Sequence, residues 1–274
     1  MSDKRFAGRR ALVTGASRGI GAALAQRLAA EGADVAITAR SLDTASKLPG
    51  TLAEVGERIG AYGGKVELIG ADLSDEAARE RIVPQAVAGL GGPIDILVNN
   101  AAMGVYATVA EYPLRRVRLH FEVNVLAPLQ LAQAVVPGMR ERGEGWIVNV
   151  SSATAKHWPG PPFTLGGTGT GTTVYGSSKA ALNRITNGLA AELHGTGIRV
   201  NTVEPRAAVM SEGARELVGH IVRDDQIETM EQMVEGIVTL CDCPAERTGR
   251  VEVSLDLIAE LGLTVHGLDG SVPA

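Results

Sequence analysis

The chain has 274 residues, 45% hydrophobic and 21% charged, with a formal net charge of −5, which is the make-up of an ordinary globular chain and not of a disordered one. The acidic balance argues against a nucleic-acid binder, no apolar run reaches the roughly 18–20 residues of a membrane helix, and the N-terminal MSDKRFAGRRALVTG lacks the apolar stretch of a secretory signal. Cys241 and Cys243 are too close together to staple a fold and lack the partners of a zinc site, and the five histidines show no metal spacing; the cysteines are expected to be small buried residues of a cytoplasmic protein, and no metal is expected.

The periodicity alternates along the chain. RALVTG (10–15) is a short apolar strand, and GIGAALAQRLAAEG (19–32) has helical spacing with a stop at Gly32. ADVAITAR (33–40) is a second strand, SLDTASKLPG a loop by its Pro-Gly pair, and TLAEVGERIGAYGG a helix with a glycine end. KVELIGADL (65–73) is a third strand, followed by a helix that Ser74 is expected to cap, with acids in its first turn. IDILVNNAA (94–102) is a fourth strand, and helical pattern returns over about 110–142, where RRVRLH (115–120) reads as a solvated face. GWIVNVSS (145–152) is a fifth strand, 175–195 a helix, GIRVNTVEP (197–205) a sixth strand, 226–241 a helix and RVEVSL (250–255) a last strand.

Several strands are continuous apolar runs, which marks a parallel sheet covered on both faces. Repeated β-α alternation with right-handed crossovers predicts a Rossmann-type doubly wound parallel sheet, a three-layer α-β-α arrangement, in one domain over 1–274.

Two glycine-rich runs compete as a phosphate site. TGASRGIG (14–21) ends the first strand and opens the first helix, where backbone N–H groups and a helix N-terminus can hold a pyrophosphate. Gly15 permits the tight turn, Gly19 the approach of the ligand and Gly21 close helix–strand packing, with Ser17, Arg18 and Ile20 completing the loop. GGTGTG (166–171) follows a proline-rich loop, not a strand, and is expected to form a rim beside the substrate site. The second strand ends in Ala39-Arg40 with no carboxylate; Arg40, with Arg18, suits a 2′-phosphate, so NADP(H) is expected over NAD(H).

In YGSSK (175–179) the side chains of Tyr175 and Lys179 lie one turn apart on a helix face. A nearby ammonium favours phenolate, so the pair can make a tyrosine that gives or takes a proton near neutral pH. Ser152, the NNAA run and Glu204-Pro205 all fall at carboxyl ends of strands, where ligands bind in open α/β sheets.

These residues together resemble the short-chain dehydrogenase/reductase family: TGASRGIG, AD (71–72), NNAA (99–102), Asn124 in EVNV, Ser152 in IVNVSS, YGSSK and RVNTVEP occur in the family's order over about residues 9–255. The resemblance implies that Tyr175 is the general acid/base and that Lys179 lowers its pKa and binds the nicotinamide ribose. It implies that Ser152 bonds the substrate oxygen and that Asn124 holds a water of a proton relay. Asp72 and Leu73 would meet the adenine, Asn99 and Ala101 would back the cofactor pocket, and Pro205 would lie where the nicotinamide approaches the backbone. The implied reaction passes a hydride between nicotinamide and a small carbonyl or secondary alcohol, with a 3-oxoacyl-thioester reductase or a hydroxysteroid dehydrogenase as specific cases and a non-catalytic dinucleotide-binding sensor as a remote one. A homodimer or homotetramer through the helices at 110–142 and 175–195 is implied too.

The chain departs from the family at Ala102 and Arg206, where glycines are usual, and Arg206 either turns away or alters the nicotinamide or substrate pocket. Ser152 and Tyr175 are 23 positions apart, roughly ten more than the family's spacing, which defines an insertion at about 153–173. The C-terminal extension at about 256–274 is expected to be a short helix and tail.

Overall fold

The apolar runs assemble into a 7-stranded sheet in a computed structural model that describes residues 4–43, 49–163, 171–211 and 227–272. Its strands are β1 (Arg10–Thr14), β2 (Asp34–Ala39), β3 (Val66–Gly70), β4 (Ile96–Asn99), β5 (Gly145–Val150), β6 (Ile198–Glu204) and β7 (Val251–Val253). Every neighbouring pair is parallel, in the spatial order β3-β2-β1-β4-β5-β6-β7. The order reverses between β1 and β4, which opens a crevice at the carboxyl ends of those strands.

The helices are α1 (Gly19–Ala30), α2 (Leu52–Gly60), α3 (Glu76–Leu90), α4 (Leu114–Phe121), α5 (Ala127–Arg142), α6 (Thr173–Glu192), α7 (Met230–Leu240) and α8 (Ser254–Leu261). Strand alternation divides the core between two faces. Val13, Ile37, Val98 and Val148 pack with α1, α2 and α7, while Leu12, Ala36, Leu97 and Ile147 pack with α3 and α5. Both cysteines are free and buried in the first of these layers. No described helix is long and apolar enough to cross a membrane.

The local chemistry sets the element ends, and several differ from the periodicity. Ser74 does not cap α3: Asp75 is the N-cap and accepts from the Ala77 N–H, while the Ser74 hydroxyl donates to Asp72. The third, fourth and fifth strands stop short of the predicted 73, 102 and 152, because the apolar pattern continues past the last ladder bond. The last strand is only three residues, and Ser254 already opens α8. The predicted helix at 226–241 begins at Met230, behind a Thr229–Gln232 capping box. The helical stretch at 110–142 is interrupted: α4 passes through a five-residue π segment, Glu122–Leu126, before α5. Asn124 sits in that segment. Arg115, Arg116 and Arg118 are exposed as predicted, but His120 at the end of the same run is fully buried.

The C-terminal extension is α8 and a tail laid over α1 and α7. Arg27, fully buried on α1, holds it: Nη1 donates to the His266 and Gly267 carbonyls at 3.4 and 3.3 Å, and Nη2 reaches Glu235 Oε2 at 3.0 Å. Glu235 also accepts from the His266 N–H at 3.0 Å. Burial opposes its charge, but the His266 amide and the Arg27 guanidinium outweigh burial and hold the carboxyl below its ordinary value. Its stabilising contribution is therefore present above the unfolded carboxylate range and lost as pH falls through the native value. Arg27→Met should cost about 3–5 kcal/mol in urea unfolding at pH 7, because it leaves Glu235 buried and unpaired. Arg27→Met/Glu235→Leu should recover most of that loss, and equal stability of the single variant and the wild type would show the tail is not anchored here.

Candidate active site

Two loops meet where the strand order reverses. The Thr14 hydroxyl at the end of β1 accepts from the N–H groups of Asn100 and Ala101 just past β4, both at 3.1 Å. In return the Asn100 side-chain amide donates to the Thr14 and Gly15 carbonyls at 2.9 and 3.2 Å. Gly15 has φ +67, and a Cβ there would lie 2.7 Å from Ala101 Cα; a Cβ on Gly21 would lie 2.5 Å from the Gly15 carbonyl oxygen. Only glycine allows this approach. α1 then starts with Arg18 at the N-cap, without a side-chain cap and without an acid in its first turn. Its free amides at the carboxyl edge fit a pyrophosphate.

The other predicted dinucleotide contacts ring this loop. Ser17 and Gly19 are half-buried and Ile20 packs against the core. Arg40 is exposed just past β2, whereas Arg18 Nη2 donates to the Gly50 carbonyl at 3.2 Å. Asp72 is exposed and Leu73 buried beyond β3. The Asn99 side chain is spent inside the sheet, donating to Asn149 Oδ1 at 2.8 Å. Pro205 is half-buried after β6. Next to it Arg206 turns to Asp256 on α8, and its N–H donates to Glu228 at 2.7 Å. Among the described residues no His, Cys, Asp or Glu cluster could hold a metal.

The second half of the site lies across β4, β5 and α6. Ser152 stands two residues beyond β5 and caps the short turn Ala153–Ala155. Its hydroxyl accepts from the Thr154 N–H and hydroxyl at 3.2 and 3.0 Å, and Tyr175 stands in the first turn of α6. One turn on, the Lys179 Nζ, 2% exposed as a residue, donates to the Val150 carbonyl at 2.7 Å and lies 5.9 Å from the Tyr175 ring centroid. Burial and the neighbouring Tyr106 phenol set the Tyr175 phenol above its ordinary value, with the Ser152 hydroxyl working the other way. Burial pushes the Lys179 ammonium down to about 8. In both groups burial is the largest cause.

Asn124 is fully buried, and the Met103 peptide engages its side chain from both sides, with N–H to Oδ1 at 2.8 Å and Nδ2 to the carbonyl at 3.0 Å. Its Nδ2 also donates to Ser178 Oγ at 3.0 Å, joining the π segment to α6. Its side chain therefore fixes the loop after β4. The insertion is described only at its ends. At the first, Lys156 pairs with the fully buried Glu204 at 3.0 Å. At the second, the Gly171 carbonyl accepts from the Ala107 N–H at 3.0 Å. The glycines at 166–170, expected to form a rim, lie outside the described residues.

Sequence reasoning passed over Asn100, Tyr106, Tyr112 and His120. Asn100 stood beside the named Asn99, and His120 lies one helical turn before Asn124, a spacing that could have marked both.

The comparisons with known proteins agree with this geometry. A family model described as short chain dehydrogenase matches residues 9–218. A ketoacyl reductase of Nostoc sp. is 36% identical over 198 residues, 72% of this chain and 63% of that protein. L-xylulose reductase of Bos taurus is 37% identical over 212 residues, 77% of this chain and 76% of its own. Hydroxysteroid dehydrogenase-like protein 2 of Danio rerio is 30% identical over 260 residues, 94% of this chain and 60% of its own. The match therefore spans less than two thirds of the Nostoc and Danio proteins. Among solved structures, L-sorbose reductase of Gluconobacter frateurii, complexed with NADPH and L-sorbose, superposes with a TM-score of 0.77 at 27% identity, covering 92% of this chain and 96% of its own. A 3-oxoacyl (acyl-carrier-protein) reductase of Agrobacterium tumefaciens C58 with NADP bound gives 0.76 at 27% identity, covering 92% and 95%.

A lysine whose native value is about 8 against an ordinary 10.5 binds fewer protons folded than unfolded between those values, so stability rises with pH across that window. Wild type should gain on the order of 3 kcal/mol from pH 7 to 10.5 relative to Lys179→Met, which lacks the titrating group. A constant difference between the two in urea unfolding over that range would show that the ammonium is not desolvated.

Proposed function

The chain belongs to the short-chain dehydrogenase family, and we propose that it is an NADP(H)-dependent oxidoreductase that interconverts a carbonyl compound and a secondary alcohol. The observation that carries this reading is the grouping of Ser152, Tyr175 and the buried Lys179 at one sheet edge, with the uncapped start of α1 at the same edge.

When bound, a nicotinamide dinucleotide supplies the hydride donor or acceptor. The α1 amides with Gly15, Ser17, Gly19 and Ile20 hold its pyrophosphate, Asp72 and Leu73 face its adenine side, and Ala101 and Pro205 flank the nicotinamide side. The rest of the work falls to side chains of this chain. Ser152 Oγ and Tyr175 Oη donate to the carbonyl oxygen and fix its orientation. A phenol set above its ordinary value is protonated at pH 7, so Tyr175 is ready to give its proton as the alkoxide forms. The Lys179 ammonium then stabilises the phenolate left behind. Asn124 keeps the loop after β4 in register with α6. Arg206, the one residue that favoured a sensor without turnover, is engaged by Asp256 and does not support that alternative.

The 2′-phosphate preference rests on Arg40, exposed past β2 where no carboxylate stands on the strand end. Relatives are named for substrates as different as a ketoacyl compound and L-xylulose. A screen of ketones and acetoacetyl thioesters with each cofactor should give higher kcat/KM with NADPH than with NADH, and Arg40→Asp should reverse the order; a clear NADH preference of the wild type would overturn the cofactor reading. Tyr175→Phe should lower kcat by about 100-fold or more while NADPH affinity, read by fluorescence titration, stays within about threefold; retained turnover would remove Tyr175 from the mechanism.

A further inference from the structure

The loop after β4 has no regular structure between Ala101 and Thr108, yet it is pinned at alternate residues. Met103 is clamped by Asn124. The Val105 N–H donates to His120 Nε2 at 3.3 Å, and its carbonyl accepts from the Tyr112 hydroxyl at 2.9 Å. His120 in turn uses Nδ1 on the Arg116 carbonyl at 2.8 Å, which fixes the ring and leaves Nε2 as the acceptor. Ala107 is tied to Gly171 at the far end of the insertion, where a Cβ would sit 3.2 Å from the Ala107 nitrogen.

The residue presented between these anchors is Tyr106. Its ring lies against that of Tyr175, with centroids 5.6 Å apart and planes at 44°. It is half-buried, and its hydroxyl has no hydrogen-bond partner among the described residues, unlike that of Tyr112. A braced, partly desolvated phenol with a free hydroxyl is suited to receive a ligand group. The Tyr106 phenol also raises the cost of ionising Tyr175.

We propose that Tyr106 is a substrate-binding residue that selects ketones carrying a second oxygen on the carbon next to the reacting carbonyl, its hydroxyl bonding that second oxygen while Ser152 and Tyr175 bond the first. This rests on the oxidoreductase reading above. Rings 5.6 Å apart whose phenols interact electrostatically put both hydroxyls within reach of one small substrate, and oxygens on neighbouring carbons are the closest pair a ketone substrate can offer. A simple ketone leaves the Tyr106 hydroxyl unpaired, and an unpaired polar group at a closed site discriminates strongly.

The test is steady-state reduction of 2-hydroxycyclohexanone and cyclohexanone by wild type and by Tyr106→Phe, which keeps the ring and removes one oxygen. Wild type should prefer the hydroxyketone, and the ratio of the two kcat/KM values should fall roughly tenfold in the variant. Binding of 1,2-cyclohexanediol and cyclohexanol to the protein with NADP+ should show the same loss of ratio in calorimetry. A ratio that does not change, or a wild type that prefers cyclohexanone, overturns the role of Tyr106 and leaves the oxidoreductase reading standing. A wild type that reduces no ketone with either cofactor overturns that reading, and the assignment of Tyr106 falls with it.

Discussion

Everything at the functional edge depends on the seam between β1 and β4. There Thr14 and Gly15 meet Asn100 and Ala101 through four hydrogen bonds, two into the Thr14 hydroxyl and two out of the Asn100 side-chain amide. A parallel sheet can reverse its winding only by sending consecutive connections to opposite faces, and the loops on the two sides then part. The crevice is a consequence of topology, but its floor is set by this exchange. It draws Ala101 so close to Gly15 that no side chain fits at position 15. The same contact fixes where α1 begins and therefore where its amides point. On the other side it fixes where the loop carrying Met103 and Tyr106 departs.

The cost of the site appears in the groups it buries. Lys179 and Asn124 are almost without solvent, and Glu204 is a fully buried carboxylate whose ionic partner among the described residues, Lys156, stands largely in water. Burial raises the Glu204 carboxyl, with the Lys156 contact working the other way. Such groups weaken a fold unless they are held, and they gather where function asks for them. The protein meets the cost with backbone partners: the Val150 carbonyl for Lys179 and the Met103 peptide for Asn124. Val150 ends β5, and Met103 lies in the loop that follows β4.

The sheet was legible because its strands are apolar on both faces, a pattern that solvent-facing strands do not show. Val13 and Leu12 go to opposite cores, yet both are required to be apolar, and that doubles the signal. Strand ends were less legible. In NNAA the apolar pattern runs on, but the Asn100 amide has already been captured by a threonine from another strand, an event no local window contains. Asn124 was read as helical and lies in a π segment, since one extra residue per turn leaves no mark on periodicity. Ser74 and Asp75 are equally good caps by composition, and only the backbone decides between them. The burial of Arg27 left no local mark, because the carbonyls it binds lie 239 and 240 positions away in sequence.

The insertion shows how one edge separates two tasks. Its described ends reach β6 through Lys156 and Glu204, and the loop after β4 through Gly171 and Ala107. Among the described residues no hydrogen bond or ion pair joins either end to α1. The half of the edge built from β1, β2 and β3 carries the glycine loop proposed above to meet the dinucleotide. The half built from β4, β5 and β6 carries Ser152, Tyr175 and Tyr106, and here the extra chain is spent. An insertion tied into the first half would alter the fit of a shared ligand. Tied into the second, it braces the one loop that sets a phenol against Tyr175, so added length becomes a constraint on which molecule can occupy the site.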